Sequence, residues 1–356
     1  VTSLADLRAA FPPVRGHLDA ATAGVPTRAA TAALHADLDR WADGGLDAAR
    51  YDDAVTRARS AFARLVGVGA GRVAIGAQTS VMAALVAASL PDDAEVLCVE
   101  DDFSSMVFPF LVEQPRIRVR QVSAEALAGS IGPRTSLVAF SLVQSATGAV
   151  LDGPSIAGIA REHGAWTFAD LTQAAGWMAV DAGAYDLTAT AAYKWLCAPR
   201  GTGFLTVGEH VQPALRPVQA GWYAGEDVWG SCYGPSMRLA ADARRYDVSP
   251  AWQAWIGAAE TVEAFAAVDP VAVQAYAAGL ADRLRAGLGL PATGSAIVTL
   301  DDPDGRRRVA LEAAGCRVAG RAGRVRLACH VWADEDDVDR ALEVLVGSGA
   351  LAPGRA

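Results

Sequence analysis

One lysine occurs in the 356 residues, Lys194, and the other 30 side chains of the Lys-plus-Arg set are arginines. An arginine serves a surface charge or an anion contact at least as well as a lysine does. It cannot lose its proton, so it cannot act as base or nucleophile. A lysine with a lowered pKa can, and its free amine can form a Schiff base. The retained lysine therefore points to amine chemistry. It lies in "DLTATAAYKWLCAPRGTGF" (186–204), after a strand-like run and before a Pro- and Gly-bearing turn that allows close backbone approach.

Three other stretches carry groups that such an amine could work with. "GAQTS" (Gly76–Ser80) stands between the β-branched run "RVAIG" and an alanine-rich apolar helix. The hydroxyls of Thr79 and Ser80, with the N–H groups of a helix start, either hold an anion or cap the helix. "WTFADLTQAAGW" (166–177) ends an apolar run on Asp170 and places Gln173 three residues later. A buried carboxylate needs a partner. Asp170 either caps the next helix or meets a protonated ring nitrogen. "RVRLACHVW" (324–332) carries Arg326 in a strand, where it either faces solvent or clamps a substrate carboxylate. An anion cradle, a carboxylate, a Schiff-base-competent amine and a carboxylate-binding arginine together are what pyridoxal 5'-phosphate and an amino-acid substrate require.

The elements that must position these groups alternate along the chain. Residues 27–66 show apolar positions at helical spacing and read as two helices. Seven strand-like runs follow: "RVAIG", "EVLCVE", "RIRVRQV", "SLVAFSLV", "WTFAD", "DLTATAA" and "GTGFLTV". Helical or turn segments separate several of them, so the fold class is α/β with a mostly parallel sheet covered on both faces. Asp170 and Lys194, 24 residues apart at successive strand ends, meet if those strands are neighbours. Residues 251–288 return to helix. A smaller α/β unit follows, with strands "SAIVTL" and "RVRLACHVW" and a closing helix, "DEDDVDRALEVLVG", whose acidic start suits a helix N-terminus.

Composition narrows the function classes. At 356 residues the chain exceeds one core's usual size, and 52% hydrophobic residues supply two lobes. A net charge of −9 gives no nucleic-acid footprint. The five cysteines show no zinc spacing, so no metal site is expected, and they read as reduced thiols. The N-terminal residues lack a signal-peptide pattern and the longest apolar stretch is too short to span a bilayer, so the expected location is cytoplasmic, without membrane contact. There is no GxGxxG after the first strand and no GxxxxGK[ST] loop, which argues against a nucleotide-dependent enzyme.

Four motifs in order resemble the class V aminotransferase family of fold-type-I pyridoxal phosphate enzymes, which includes cysteine desulfurases and isopenicillin N epimerase. "HLDAATAG" (His17–Gly24) resembles "YLDNAAT", and "FADLTQAAGW" resembles "VDGAQAxG". "AYKWLCAPRGTGFLTV" resembles "SGHKxxGPxGxGxLYV", and "RVRLACHVWADEDDVDRAL" resembles "RxSxxxYNTxEEVDRL". The resemblance implies a large cofactor-binding domain over 21–250, a small domain with interdomain helices over 251–356, and an N-terminal segment, 1–20, that joins the small domain. It implies that Lys194 anchors the cofactor, that Asp170 faces the ring nitrogen and Gln173 the ring oxygen, and that Thr79 and Ser80 hold the phosphate. Phe103, in "DDFSSMVFPF", stands where the family often has a ring-stacking histidine. Arg326 takes the substrate carboxylate. The family is usually dimeric, and Ser249 in "RRYDVSP" resembles the position that reaches the partner subunit's phosphate. Where the family has "SGHK" this chain has "AAYK": Ala191 lacks a hydroxyl, and Tyr193 replaces a histidine while still able to donate one hydrogen bond.

The implied substrate is an amino acid or small amine. Transamination and C–S or other C–X lyase chemistry come first, epimerisation after them, and a pyridoxal phosphate-binding pseudoenzyme is the alternative outside enzymes. The stretch before the Arg326 strand is short and has no inserted cysteine loop of the desulfurase kind. Cys232 lies in an aromatic run, "GWYAGEDVWGSCYGP" (221–235), read as a lid, a dimer contact or core packing.

Overall fold

The computed structural model describes residues 2–234 and 236–347; Val1, Pro235 at the end of the aromatic run, and 348–356 of the expected small domain lie outside the described residues. The N-terminal region is helical: α1 (Leu4–Ala9), α2 (Arg28–Ala42) and α3 (Ala48–Leu65). In α3 the buried Tyr51, Ala54, Val55, Ala58, Ala61 and Phe62 recur every three or four residues, which makes one apolar stripe.

The central sheet comprises β1 (Val73–Gly76), β2 (Glu95–Val99), β3 (Arg118–Val122), β4 (Thr135–Ser141), β5 (Trp166–Asp170), β6 (Leu187–Ala191) and β7 (Gly203–Val207). Helices α4 (Thr79–Ser89), α5 (Ser104–Val112), α6 (Leu127–Ser130) and α7 (Gly153–Glu162) connect its strands. The strand order is β1-β7-β6-β5-β4-β2-β3, and β7 alone among the seven runs against its neighbours. Side chains alternate between two cores. Val73, Ile75, Leu97, Val138, Phe140 and Phe204 join one; Ala74, Val96, Leu137, Phe168, Ala189 and Leu205 join the other. Period-two alternation with apolar residues on both faces is what a sheet covered on both sides requires. The α/β, mostly parallel architecture expected from the sequence is the observed one.

The chain then forms α8 (Trp252–Ala266) and α9 (Pro270–Gly287). A second unit contains β8 (Ile297–Asp301), α10 (Arg306–Ala313), β9 (Ala319–Arg321), β10 (Arg324–Ala328) and α11 (Glu335–Gly347). Its antiparallel sheet has the order β8-β10-β9. The segment ahead of α2 runs beside this unit: Leu18 N–H donates to Arg317 O and Ala328 N–H to Leu18 O. Short α1, α10 and β9 carry too few periodic positions to be read from sequence. The α5 stretch holds Pro109, which reads as a helix breaker although the helix continues through it.

Candidate active site

β5 and β6 are parallel neighbours with Asp170 level with Ala189, so the two strand ends that carry Asp170 and Lys194 lie side by side. Asp170 is 4% exposed and Lys194 5%. Burial, opposed by the charge of Asp170, pushes the Lys194 amine down from its ordinary 10.5 to about 8; Arg326, Arg321 and Arg200 press it the same way as burial. Burial likewise pushes the Asp170 carboxyl above its usual range, against hydrogen bonds from Thr172 and the charge of Lys194. Asp170 accepts from Thr172 N–H at 2.8 Å, and no arginine or lysine among the described residues pairs with it. Such a buried carboxylate is made ready for a cationic N–H donor.

Across the cleft, α4 begins at Thr79 with Gln78 as its N-cap and no side-chain cap, so its first N–H groups stay open toward an anion. Thr79 Oγ1 lies 3.3 Å from Thr172 Oγ1, which accepts Ala191 N–H at 2.9 Å and so ties the helix start to the β6 end. Thr79, Phe103, Tyr193 and Arg200 line the same cleft as Asp170 and Lys194. The Phe103 ring centroid is 5.2 Å from Lys194 Nζ, and the Arg200 guanidinium stacks on Tyr193 at 4.6 Å. Arg200 makes no hydrogen bond or ion pair among the described residues.

Gln173 and Ser145 form the inner wall. Gln173 Nε2 donates to Ala21 O and to Ser145 Oγ, each at 3.1 Å, and its Oε1 accepts Trp195 Nε1–H at 2.7 Å. Arg326, 1% exposed, donates from Nη1 to Ser145 O at 2.8 Å and Oγ at 3.0 Å, and from Nη2 to Thr22 Oγ1 at 2.8 Å. It stands behind Ser145, one residue removed from the cleft surface. Asp19 lies 3.7 Å from Nη2.

The loop that carries Lys194 is held from three sides. Gly24 N–H donates to Tyr193 O at 2.9 Å. A Cβ on Gly24 would sit 2.1 Å from Lys194 O, and one on Gly176 2.4 Å from Trp195 O, so both positions demand glycine. His330, fully buried beside Trp195, Phe265 and Trp332, contacts Trp195 O through Nε2 at 2.8 Å. Burial drives its pKa down to about 3, so the ring is neutral and its Nε2 donates.

Of the residues singled out from sequence, Lys194, Asp170, Gln173, Thr79, Phe103 and Tyr193 line one cleft. Ser80 does not line it. Ser249 is exposed in the segment after Asp247 and does not line the cleft of its own chain. No part of the aromatic run 221–234 lines the cleft; Tyr223 and Trp229 instead bond Asp52 on α3 at 2.9 and 2.8 Å. No cysteine lines it either: Cys98, Cys197, Cys316 and Cys329 are buried and Cys232 lies in the aromatic loop. Sequence reading missed Ser145, Thr172 and Arg200. Ser145 and Thr172 give no signal beyond being hydroxyls, whereas Arg200 stood in the quoted glycine-rich turn. Among the described residues no cluster of His, Cys, Asp and Glu could hold a metal ion, and no single helix is long and apolar enough to cross a membrane.

The fold and cleft define a pyridoxal phosphate enzyme, and the comparisons agree. The profile of the aminotransferase class-V family matches residues 22–309, and the chain belongs to that family. Isopenicillin N epimerase from Streptomyces clavuligerus is 30% identical over 280 residues, 70% of this chain and 67% of that protein. The isopenicillin N epimerase of Amycolatopsis lactamdurans is 42% identical over 100 residues, 28% of this chain and 25% of its own. Among solved structures, the cysteine desulfurase CsdA of Escherichia coli superposes with a TM-score of 0.83 at 18% identity, covering 99% of each chain. The cystine C–S lyase C-DES does so with 0.81 at 19% identity, over 96% of this chain and 98% of that one. At these identities the structural likeness is one of fold. The uncapped start of α4, the unpaired Asp170 and the deprotonatable Lys194 suit the cofactor's phosphate, ring nitrogen and aldehyde in turn.

Proposed function

We propose that the protein acts on the α-carbon of an amino acid or small amine, as a transaminase-type enzyme in which Lys194 both anchors pyridoxal phosphate and carries the proton. The observation that carries this reading is the meeting, in one cleft, of the chain's single lysine with a buried carboxylate that no side-chain cation contacts at ion-pair distance. Bound pyridoxal phosphate supplies an electron sink for the charge left when a bond to the substrate α-carbon breaks. Asp170 would keep a proton on the ring nitrogen. Thr79 with the α4 N–H groups would hold the phosphate, with Arg200 supplying charge where Ala191 leaves a hydroxyl out. Phe103 would cover the ring face, and Gln173 would donate toward the ring oxygen by giving up Ser145. Lys194 Nζ, once exchanged for the substrate amine, would take the α-proton as general base. Arg326 would reach the substrate carboxylate by exchanging its bond to Ser145. In a homodimer of the family's kind, the exposed Ser249 would face a partner's phosphate.

Elimination with C–S or other C–X cleavage uses the same base and remains the second reading; it requires no cysteine, which matches a cleft with none. Epimerisation, the activity for which the two relatives are named, is the third reading. A persulfide-forming desulfurase is disfavoured by the cysteine placement. The test is α-proton exchange in heavy water across a panel of L-amino acids, an outcome common to all three readings. Exchange should occur in the holoenzyme and vanish in Lys194→Ala; exchange that survives the substitution refutes the mechanism. A keto acid formed with the aminated cofactor marks transamination. A keto acid with ammonia and a released leaving group marks elimination, and the D-enantiomer marks epimerisation.

A further inference from the structure

The antiparallel sheet brings several arginines to one face. Arg324 and Arg326 are two residues apart on β10, and Arg321 on β9 is level with Arg324, so all three share a side of the sheet. Two of them have carboxylate partners: Arg324 pairs with Asp301 at 3.3 Å, and Arg326 has Asp19 at 3.7 Å. Arg321 forms no ion pair among the described residues, yet its guanidinium is not loose. Its Nη2 donates to Thr22 Oγ1 at 3.1 Å, the hydroxyl that also accepts from Arg326 Nη2 at 2.8 Å. Two guanidiniums thus converge on one neutral oxygen, with the single carboxylate of Asp19 beside them. Like charges that meet at a point repel, and an arrangement of this kind is favourable when an anion occupies it. Arg326 Nε and Asp19 Oδ1 are buried without a hydrogen-bond partner, so the inner part of this cluster is unsaturated. Arg326 binds Ser145, which lines the cleft, so the inner end of the cluster backs onto the cleft wall. Depth separates the two arginines: Arg326 is fully buried behind Ser145, while Arg321 is exposed on the far side of Thr22.

We propose that Arg321 is a second carboxylate arm and that the substrate is an amino acid with an acidic side chain, whose α-carboxylate goes to Arg326 and whose distal acid goes to Arg321. This rests on the reading of the cleft as a pyridoxal phosphate site for amino acids. Thr22 is the spacer that sets the two arms apart and fixes the orientation of each fork. Arg326 alone would accept any amino acid; the outer arginine adds the preference.

The test is titration of the cofactor-loaded protein with L-glutamate against L-glutamine and L-aspartate against L-asparagine, followed by the change in the near-visible cofactor band. Wild type should bind an acidic amino acid roughly tenfold or more tighter than its amide, the weight of one charged hydrogen-bonded contact. Arg321→Gln should erase that preference while amide binding stays unchanged, and Arg321→Lys should keep part of it. No acidic preference in wild type, a preference that survives Arg321→Gln, or an equal loss for acid and amide each overturns the proposal. A wild type that never develops a cofactor band, before any amino acid is added, would instead bring down the reading of the cleft itself.

Discussion

The Lys194 amine sets a pH at which the protein should take up its cofactor. The fall from 10.5 to about 8 corresponds to about 3 kcal/mol of preference for the neutral amine. At about pH 7.5, roughly a quarter of the amine is unprotonated, against roughly a thousandth for a lysine at its ordinary value. The neutral amine is the nucleophile, so the uptake rate of cofactor-free protein should climb with pH, bend near 8 and flatten above it. Asp170→Asn removes the charge that holds the ammonium in place, so its midpoint should move toward acid by about one pH unit. The same substitution should lower turnover, because an amide cannot balance a protonated ring nitrogen. Uptake faster at neutral pH together with slower catalysis is a pairing that general misfolding does not produce. The assay is growth of the near-visible band after mixing with pyridoxal phosphate, with borohydride fixation and peptide mapping to confirm Lys194 as the attachment point. A wild-type rate still rising steeply between about pH 9 and 10.5 would falsify the assignment of a depressed amine.

Arg200→Ala should weaken pyridoxal phosphate roughly tenfold while leaving unphosphorylated pyridoxal unchanged; an equal effect on both would show that the arginine does not serve the phosphate. Gly24→Ala places a methyl 2.1 Å from Lys194 O, so it should lower the melting temperature and the uptake rate together, both read in one thermal and one absorbance experiment. Arg59 donates to Asp247 Oδ2 and to Val73 O, each at 2.6 Å, and Asp247 Oδ1 accepts Ile75 N–H at 2.8 Å, so the buried pair pins β1. Asp247→Ala strands Arg59 and should cost about 3–5 kcal/mol by denaturant titration, and a loss below about 1 kcal/mol would deny the pair that role. Cys232→Ser should leave activity intact, and loss of sulfur release from cysteine in that variant would restore a desulfurase reading.

Much of the site was legible because it follows from local chemistry. A lysine kept where arginine fills every other basic position points to its amine, since arginine cannot give up its proton. The strand-like runs before Asp170 and Lys194 announced two successive strand ends, and the α/β alternation announced the sheet; that the two strands are neighbours is a result of the fold. Thr79 followed from standing just after a strand, at the end where ligands sit, and Phe103 followed from the family resemblance. Other relationships were invisible because they depend on how distant segments close on one another. Thr22 joins two arginines 299 and 304 residues away, and no spacing along the chain encodes that. Arg326 was legible as a strand arginine, but its place behind Ser145, 181 residues earlier, was decided by how the small sheet meets the loop after β4. Ser80 and Ser249 do not line the cleft of the single chain; Ser80 follows Thr79 on α4, where a helix turns successive side chains apart by about 100°. Sequence determined which groups exist and which strand ends hold them. Tertiary structure decided which of them meet, because that depends on side-chain direction and on closure over hundreds of residues.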